Sequence, residues 1–128
     1  MVSAPAPLSA SEHAVDIVDG RITIVTAVGK DEPCFEGHYP GHPILPGVFL
    51  VEMMQRAVQR YAWERLGRPV RLQTLTTARF SAPVGPGDEV TTDCGLIADG
   101  GRLDVTARCR TGRGRVASLR ATYEVVVD

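Results

Sequence analysis

The chain has 128 residues, enough for one hydrophobic core and too few for two domains. With 44% hydrophobic and 23% charged residues and a net charge of −1, it has an ordinary globular composition, with no global field to draw it to nucleic acid or to a membrane. Cys34, Cys94 and Cys109 are widely spaced with no C-x-x-C pair, which argues against a disulfide framework or a zinc site and for a reducing cytoplasmic setting.

Residues 1–12 are small and rich in Pro and Ser, and read as a flexible tail ahead of a single domain over 13–128. Residues 14–18 and 22–28 then read as a hairpin about an Asp19-Gly20 turn, with Ile22, Ile24, Thr26 and Val28 on one face. From Glu36 to Gly47 the prolines and glycines preclude a helix or a central strand and predict a stiff, irregular loop. Helical spacing runs from Val48 to about Leu66, with Leu50, Val51, Met54, Ala57, Val58, Tyr61 and Ala62 on one face. Gln55, Arg56, Gln59 and Arg60 fall on the other face, and Gly67 and Pro69 stop the helix. Its first turn, Val48-Phe49-Leu50-Val51, is apolar all round, which predicts an end buried on every side and starts the polar stripe of Glu52 inside the protein.

Alternation then marks strands over 70–82 and 90–98, joined by a Pro86-Gly87-Asp88 turn. Gly100-Gly101 reverses the chain into Leu103, Val105, Ala107 and Cys109. A second reversal between Gly112 and Gly114 leads to a last strand with Ala117, Leu119, Ala121, Tyr123, Val125 and Val127 on one face. Two strands, a loop, one long helix and four strands make an α+β hotdog fold: a curved antiparallel sheet of about six strands wrapped around one long central helix. One helix cannot cover six strands, so a sheet edge is expected to stay open and a dimer to form.

The irregular loop carries His38, which at neutral pH takes and returns a proton and is the candidate general base. Glu52 is the candidate acid: a carboxyl in an apolar setting tends to keep its proton, while the dipole at a helix N-terminus favours the carboxylate. Gly47 and Val48, at the start of the helix, offer N–H groups with no intrahelical acceptor, an arrangement that would polarise a thioester carbonyl. Each residue also has a plain structural explanation. His42 follows His38 by four positions, but Pro40 between them keeps the pair off a helix, so no metal site is expected. Residues 53–79 carry Arg56, Arg60, Arg65, Arg68, Arg71 and Arg79 against Glu64 alone, a local excess suited to an acidic partner.

The stretch Phe35-Glu36-Gly37-His38-Tyr39-Pro40-Gly41-His42-Pro43-Ile44-Leu45-Pro46-Gly47-Val48 with Glu52 resembles the signature of the 3-hydroxyacyl-[acyl-carrier-protein] dehydratase family. Ala78-Arg79-Phe80-Ser81-Ala82-Pro83-Val84-Gly85-Pro86-Gly87-Asp88 resembles a second segment of the same family. The resemblance implies a hotdog fold and a homodimer in which His38 of one subunit works with Glu52 of the other. It also implies reversible dehydration of a (3R)-hydroxyacyl thioester to the trans-2-enoyl thioester, in fatty-acid or polyketide and polyene biosynthesis, with no cofactor. His38 would remove the C2 proton, Gly47 N–H would steady the thioester oxygen, and Glu52 would help the 3-hydroxyl leave. The partner implied is the acyl carrier protein, docked on Arg56, Arg60, Arg65 and Arg68, and a heterodimer with another hotdog subunit is an alternative assembly. Nothing before Asp31 matches the family's usual N-terminal segment, and the short connector over 67–75 lacks its gating aromatics, which points to a specialised acyl or polyene chain. A hotdog acyl thioesterase and a silent partner subunit that binds the carrier are the competing readings.

Overall fold

A computed structural model describes residues 11–29 and 45–127. The strands are β1 (Ser11–Val18), β2 (Arg21–Ala27), β3 (Val70–Phe80), β4 (Glu89–Asp99), β5 (Arg102–Thr111) and β6 (Gly114–Val125). They form one antiparallel six-stranded sheet in the order β1-β2-β4-β5-β6-β3. The helix α1 (Gly47–Tyr61) continues into a π-helical turn, Ala62–Leu66. This is the expected hotdog arrangement, although β1 begins at Ser11, inside the segment read as a tail.

Period-2 alternation decides which side of the sheet meets the helix. Ile22, Ile24, Thr26 and Val28 are buried, as are Leu103, Val105, Ala107 and Cys109, and Ala117, Leu119, Ala121 and Tyr123. The residues between them are more exposed, so one face is covered and the other is wet. Val127, read as continuing the inner face, lies beyond β6 and is exposed.

The helix presents Leu50, Met53, Met54, Ala57, Val58 and Tyr61 to the sheet. Burying a side chain such as Met54 contributes about 2 kcal/mol. Gly67, at φ +65°, adopts the left-handed conformation that closes the helical segment. The opposite stripe is not simply solvated. Gln55 accepts a hydrogen bond from the Tyr123 hydroxyl at 2.7 Å. Gln59 brackets the start of β3, donating to the Val70 carbonyl at 2.6 Å and accepting from the Val70 N–H at 3.3 Å.

The core has two parts. One packs the second half of the helix on β2, β4, β5 and β6. The other gathers Leu45, Phe49, Leu50 and Met53 from the helix start against Val28, Val84, Val90 and Val116. Strands β1 and β3 are the two edges; among the described residues β3 pairs with β6 alone, with irregularities after Leu72 and Leu75. Leu75 and Phe80 remain exposed there.

Candidate active site

The two family-like segments of the sequence meet in the fold. Val28 N–H donates to the Asp88 carbonyl at 2.8 Å, and Gly87 N–H donates to the Val28 carbonyl at 2.9 Å. Leu45 N–H donates to the Val84 carbonyl at 2.7 Å. The turn from Val84 to Asp88 therefore holds both described ends of the chain on either side of residues 30–44. His38, His42 and Cys34 lie outside the described residues, so the base expected at His38 has no geometry here.

Pro46 precedes the helix at φ −59° and ψ 142°, and no side chain among the described residues caps it. Phe49 N–H turns back to the Pro46 carbonyl at 3.0 Å. The N–H groups of Gly47 and Val48 have no acceptor within the helix, by the geometry of any helix start. They border a groove of about 830 Å³, lined on one side by Leu45, Pro46, Gly47, Val48 and Leu50 and on the other by Phe80 and the segment to Val84. A mostly apolar hollow with a few directed donors is suited to an acyl thioester. Only glycine fits at position 47 as the structure stands, because a Cβ there would meet the Phe80 ring at 2.9 to 3.1 Å.

The expectation of a helix end buried on every side needs correction. Phe49 and Leu50 are buried and Val51 is half-buried, but Val48 is 55% exposed. It lines the groove. Glu52 stands one turn after Val48 on the same helix face. Its side chain is 37% exposed, yet the two carboxylate oxygens differ. Oε1 accepts from Arg56 Nη2 at 3.4 Å, a long contact, while Oε2 is buried with no hydrogen-bond partner among the described residues. An acceptor left so costs about 1–3 kcal/mol.

The arginines after Glu52 are partly engaged. Arg60 pairs with Glu64 at 3.7 Å, Arg65 donates to the Ile17 carbonyl at 3.3 Å, and Arg68 is exposed. Trp63 stands 58% exposed among them. Cys94 and Cys109 are free and buried; burial pushes the Cys94 thiol well up and the Cys109 thiol up to about 11, which makes both poor nucleophiles.

Sequence reading missed Arg113. Its guanidinium grips Asp88 through Nη1 at 3.0 Å and Nη2 at 2.5 Å. That hydrogen bond is the main cause that holds the Asp88 carboxyl below its ordinary value. No spacing rule relates the two residues; the topology alone brings the β5–β6 reversal beside the turn.

Residues 14–119 match the ApeI-like family, described as ApeI dehydratase. The chain belongs to that family. Among its curated relatives is the 3-hydroxyacyl-[acyl-carrier-protein] dehydratase FabZ of Rhizorhabdus wittichii, 43% identical over 76 residues, which are 56% of this chain and 48% of the relative. FabZ of Polaromonas naphthalenivorans is 35% identical, with 71% of this chain and 68% of the relative covered. FabZ of Haemophilus influenzae strain PittEE is 29% identical, with 87% and 78% covered. The chain thus spans about half the length of the first of these relatives. The resemblance read from the two sequence segments is borne out. Solved structures similar to this ApeI-like chain include the dehydratase heterocomplex ApeI:P of Xenorhabdus doucetiae, with TM-score 0.73, 18% identity and 91% and 98% of the two chains covered. The Escherichia coli PaaI protein follows at TM-score 0.72 and 18% identity, with 94% and 81% covered. At these identities the likeness shows the hotdog fold.

Proposed function

We propose that this ApeI-like chain is a dehydratase that converts a (3R)-hydroxyacyl thioester on acyl carrier protein to the trans-2-enoyl thioester. The observation that carries the reading is the buried Oε2 of Glu52, unpartnered among the described residues, one helical turn from a groove bordered by the first N–H donors of the helix. In this reading His38 takes the C2 proton and Gly47 and Val48 N–H groups receive the negative charge that builds on the thioester oxygen. Glu52 gives its proton to the 3-hydroxyl, which departs as water while the C2–C3 double bond forms. The step balances without a cofactor.

The test is to incubate the protein with 3-hydroxyacyl thioesters of several chain lengths on carrier protein and follow the loss of one water by mass. A folded protein that converts none of them refutes the reading. Release of free thiol would instead mark a thioesterase, and binding without turnover would mark a silent partner subunit.

The assembly belongs to the same proposal. The thinly covered edge β3, with Leu75 and Phe80 exposed, supports pairing with a second hotdog subunit, a copy of this chain or a related one. His38 of one subunit would then serve Glu52 of the other. The acidic carrier would dock on the rim of Arg56, Arg60, Arg65 and Arg68, where exposed Trp63 supplies an aromatic anchor. No helix among the described residues is long and apolar enough to cross a membrane. Free buried thiols at Cys94 and Cys109 support a cytoplasmic setting.

A further inference from the structure

Three elements of the fold meet on Asp88. Its carboxylate accepts the Gly85 N–H at 2.8 Å, inside the turn, and both terminal nitrogens of Arg113, from the β5–β6 reversal. Arg113 is itself set by its backbone N–H, which donates to Thr111 Oγ1 at 3.2 Å. The Asp88 backbone carbonyl takes the Val28 N–H, and the neighbouring Gly87 N–H returns a bond to Val28. The side chain of Asp88 is 16% exposed against 64% for Arg113, so the carboxylate is the fixed member and the guanidinium closes over it from the surface. A two-pronged grip of this kind is geometrically specific, which an ordinary surface ion pair is not.

We propose that Asp88 and Arg113 are positioning residues for the groove: together they fix the turn that sets the Gly47 and Val48 N–H donors against Phe80. The mechanical path is short. The far end of the turn, Val84, accepts from Leu45, and only Pro46 separates Leu45 from Gly47. The proline ring fixes φ at that link, so a displacement of the turn passes to the helix start and is not absorbed on the way. Val84 and Phe80 line the same groove as Gly47, and Val84 is also buried in the core around the helix start. A turn that drifts by an ångström shifts the wall from Phe80 to Val84 relative to the donors on the opposite wall, and misplacement of that size suffices to slow a positioned reaction. Neither Asp88 nor Arg113 touches the acyl group; both act through the turn.

The experiment compares the full chain with Asp88→Asn, Arg113→Gln and Arg113→Lys by residue-resolved amide exchange and by turnover. The turnover measurement rests on the dehydratase reading, whereas amide exchange does not. Asp88→Asn and Arg113→Gln are expected to speed exchange at Val28, Leu45 and Gly87 by about tenfold or more. Leu96 and Val126, whose N–H groups bond Gly20 and Pro69 elsewhere in the fold, should be unchanged. Arg113→Lys keeps the charge but not the fork, and should fall between. With a 3-hydroxyacyl thioester, kcat should fall by about tenfold while KM holds, since the groove keeps its apolar lining. Exchange that rises equally at all five amides, or at none, overturns the proposal. An inactive wild type would end the dehydratase reading, and the amide pattern would still decide the role of the clamp.

Discussion

The ring of Phe80 lies so close to Gly47 that a methyl carbon on Gly47 would stand 2.9 Å from its Cζ. Gly47 begins the helix with ordinary helical backbone, so what crowds a larger residue there is the Phe80 ring and not the conformation. Gly47→Ala should gain about 1 kcal/mol of helix propensity and lose a comparable amount to overlap, because half-exposed Phe80 is free to swing aside. Stability should therefore change little. The displaced ring would narrow the groove, and thioester turnover should fall steeply. Adding Phe80→Ala should restore part of the loss. Equal turnover in Gly47→Ala and wild type would show that the close approach has no bearing on the reaction.

In the proposed reaction Glu52 would set stability against activity. Its Oε2 is buried without a partner among the described residues, and the pair that Oε1 makes with Arg56 is long and half-exposed, worth about 0.3–0.5 kcal/mol. Glu52→Met keeps the length and helix propensity of the side chain and removes the orphaned acceptor. The unliganded variant should gain about 1 kcal/mol, visible as a rise of a few degrees in Tm, while dehydration is lost. A variant that is less stable than wild type would mean that Oε2 already has a donor.

Much of the architecture was legible because burial follows local periodicity. Ile22, Ile24, Thr26 and Val28 alternate inward on the sequence and in the fold alike, and the helix runs close to its expected bounds. What escaped depends on neighbours distant in the chain. Gln55 and Gln59 read as a solvent stripe, yet their amides bond Tyr123 and Val70, since an amide partners whatever polar group the sheet brings to it. The 3.6-residue period carries no sign of the π-helical turn over Ala62–Leu66. Val48 reads as core but faces a groove, because hydrophobicity alone does not separate a buried site from a lined one. Of the candidate site, the start of the helix near Val48 was legible, whereas the exposure of Val48 and of part of Glu52 was not, and the Asp88–Arg113 grip had no local signature.

Two carboxylates predict the response to acid. Arg113 holds Asp88, and Arg21 holds Asp93, each chiefly through a side-chain hydrogen bond that keeps the carboxyl below its ordinary value of 3.8. A folded-state pKa below the unfolded one means that the unfolded chain binds protons more readily. The stabilisation is thus fully present above the ordinary value and is lost as pH falls through it toward the folded-state values. Urea midpoints should be level near neutrality and drop below about pH 4. Asp88→Asn and Asp93→Asn should each flatten that drop, and a slope unchanged in both variants would remove these pairs as its cause.

The proposed carrier docking should be separable from the chemistry. Reversing charge at Arg65 and Arg68, both exposed, should raise KM for the carrier-bound substrate by about tenfold and leave KM for a small thioester analogue alone. Higher salt should shrink the difference. Arg108 and Arg120, exposed on the outer side of the sheet, supply the control. If their reversal raises KM on the carrier-bound substrate and that of Arg65 and Arg68 does not, the carrier meets the outer face instead.

Of the two edge strands, β1 and β3, the proposed assembly uses β3. β3 leaves a row of backbone groups without a ladder partner among the described residues, and its bulges after Leu72 and Leu75 do not hide Leu75 or Phe80. Natural proteins seldom leave such an edge uncovered, because it templates pairing with other chains. If a second subunit covers it, Leu75→Asp places a charge where apolar contact is needed, at a cost of a few kcal/mol to association. The folded monomer, in which Leu75 is already 37% exposed, should tolerate the change. Sedimentation at micromolar concentration should then show wild-type dimers and variant monomers with equal helix content. Turnover should vanish with the dimer, because His38 and Glu52 would no longer meet across two subunits. A monomeric variant that retains full activity would place both residues in one chain and end the shared-site arrangement.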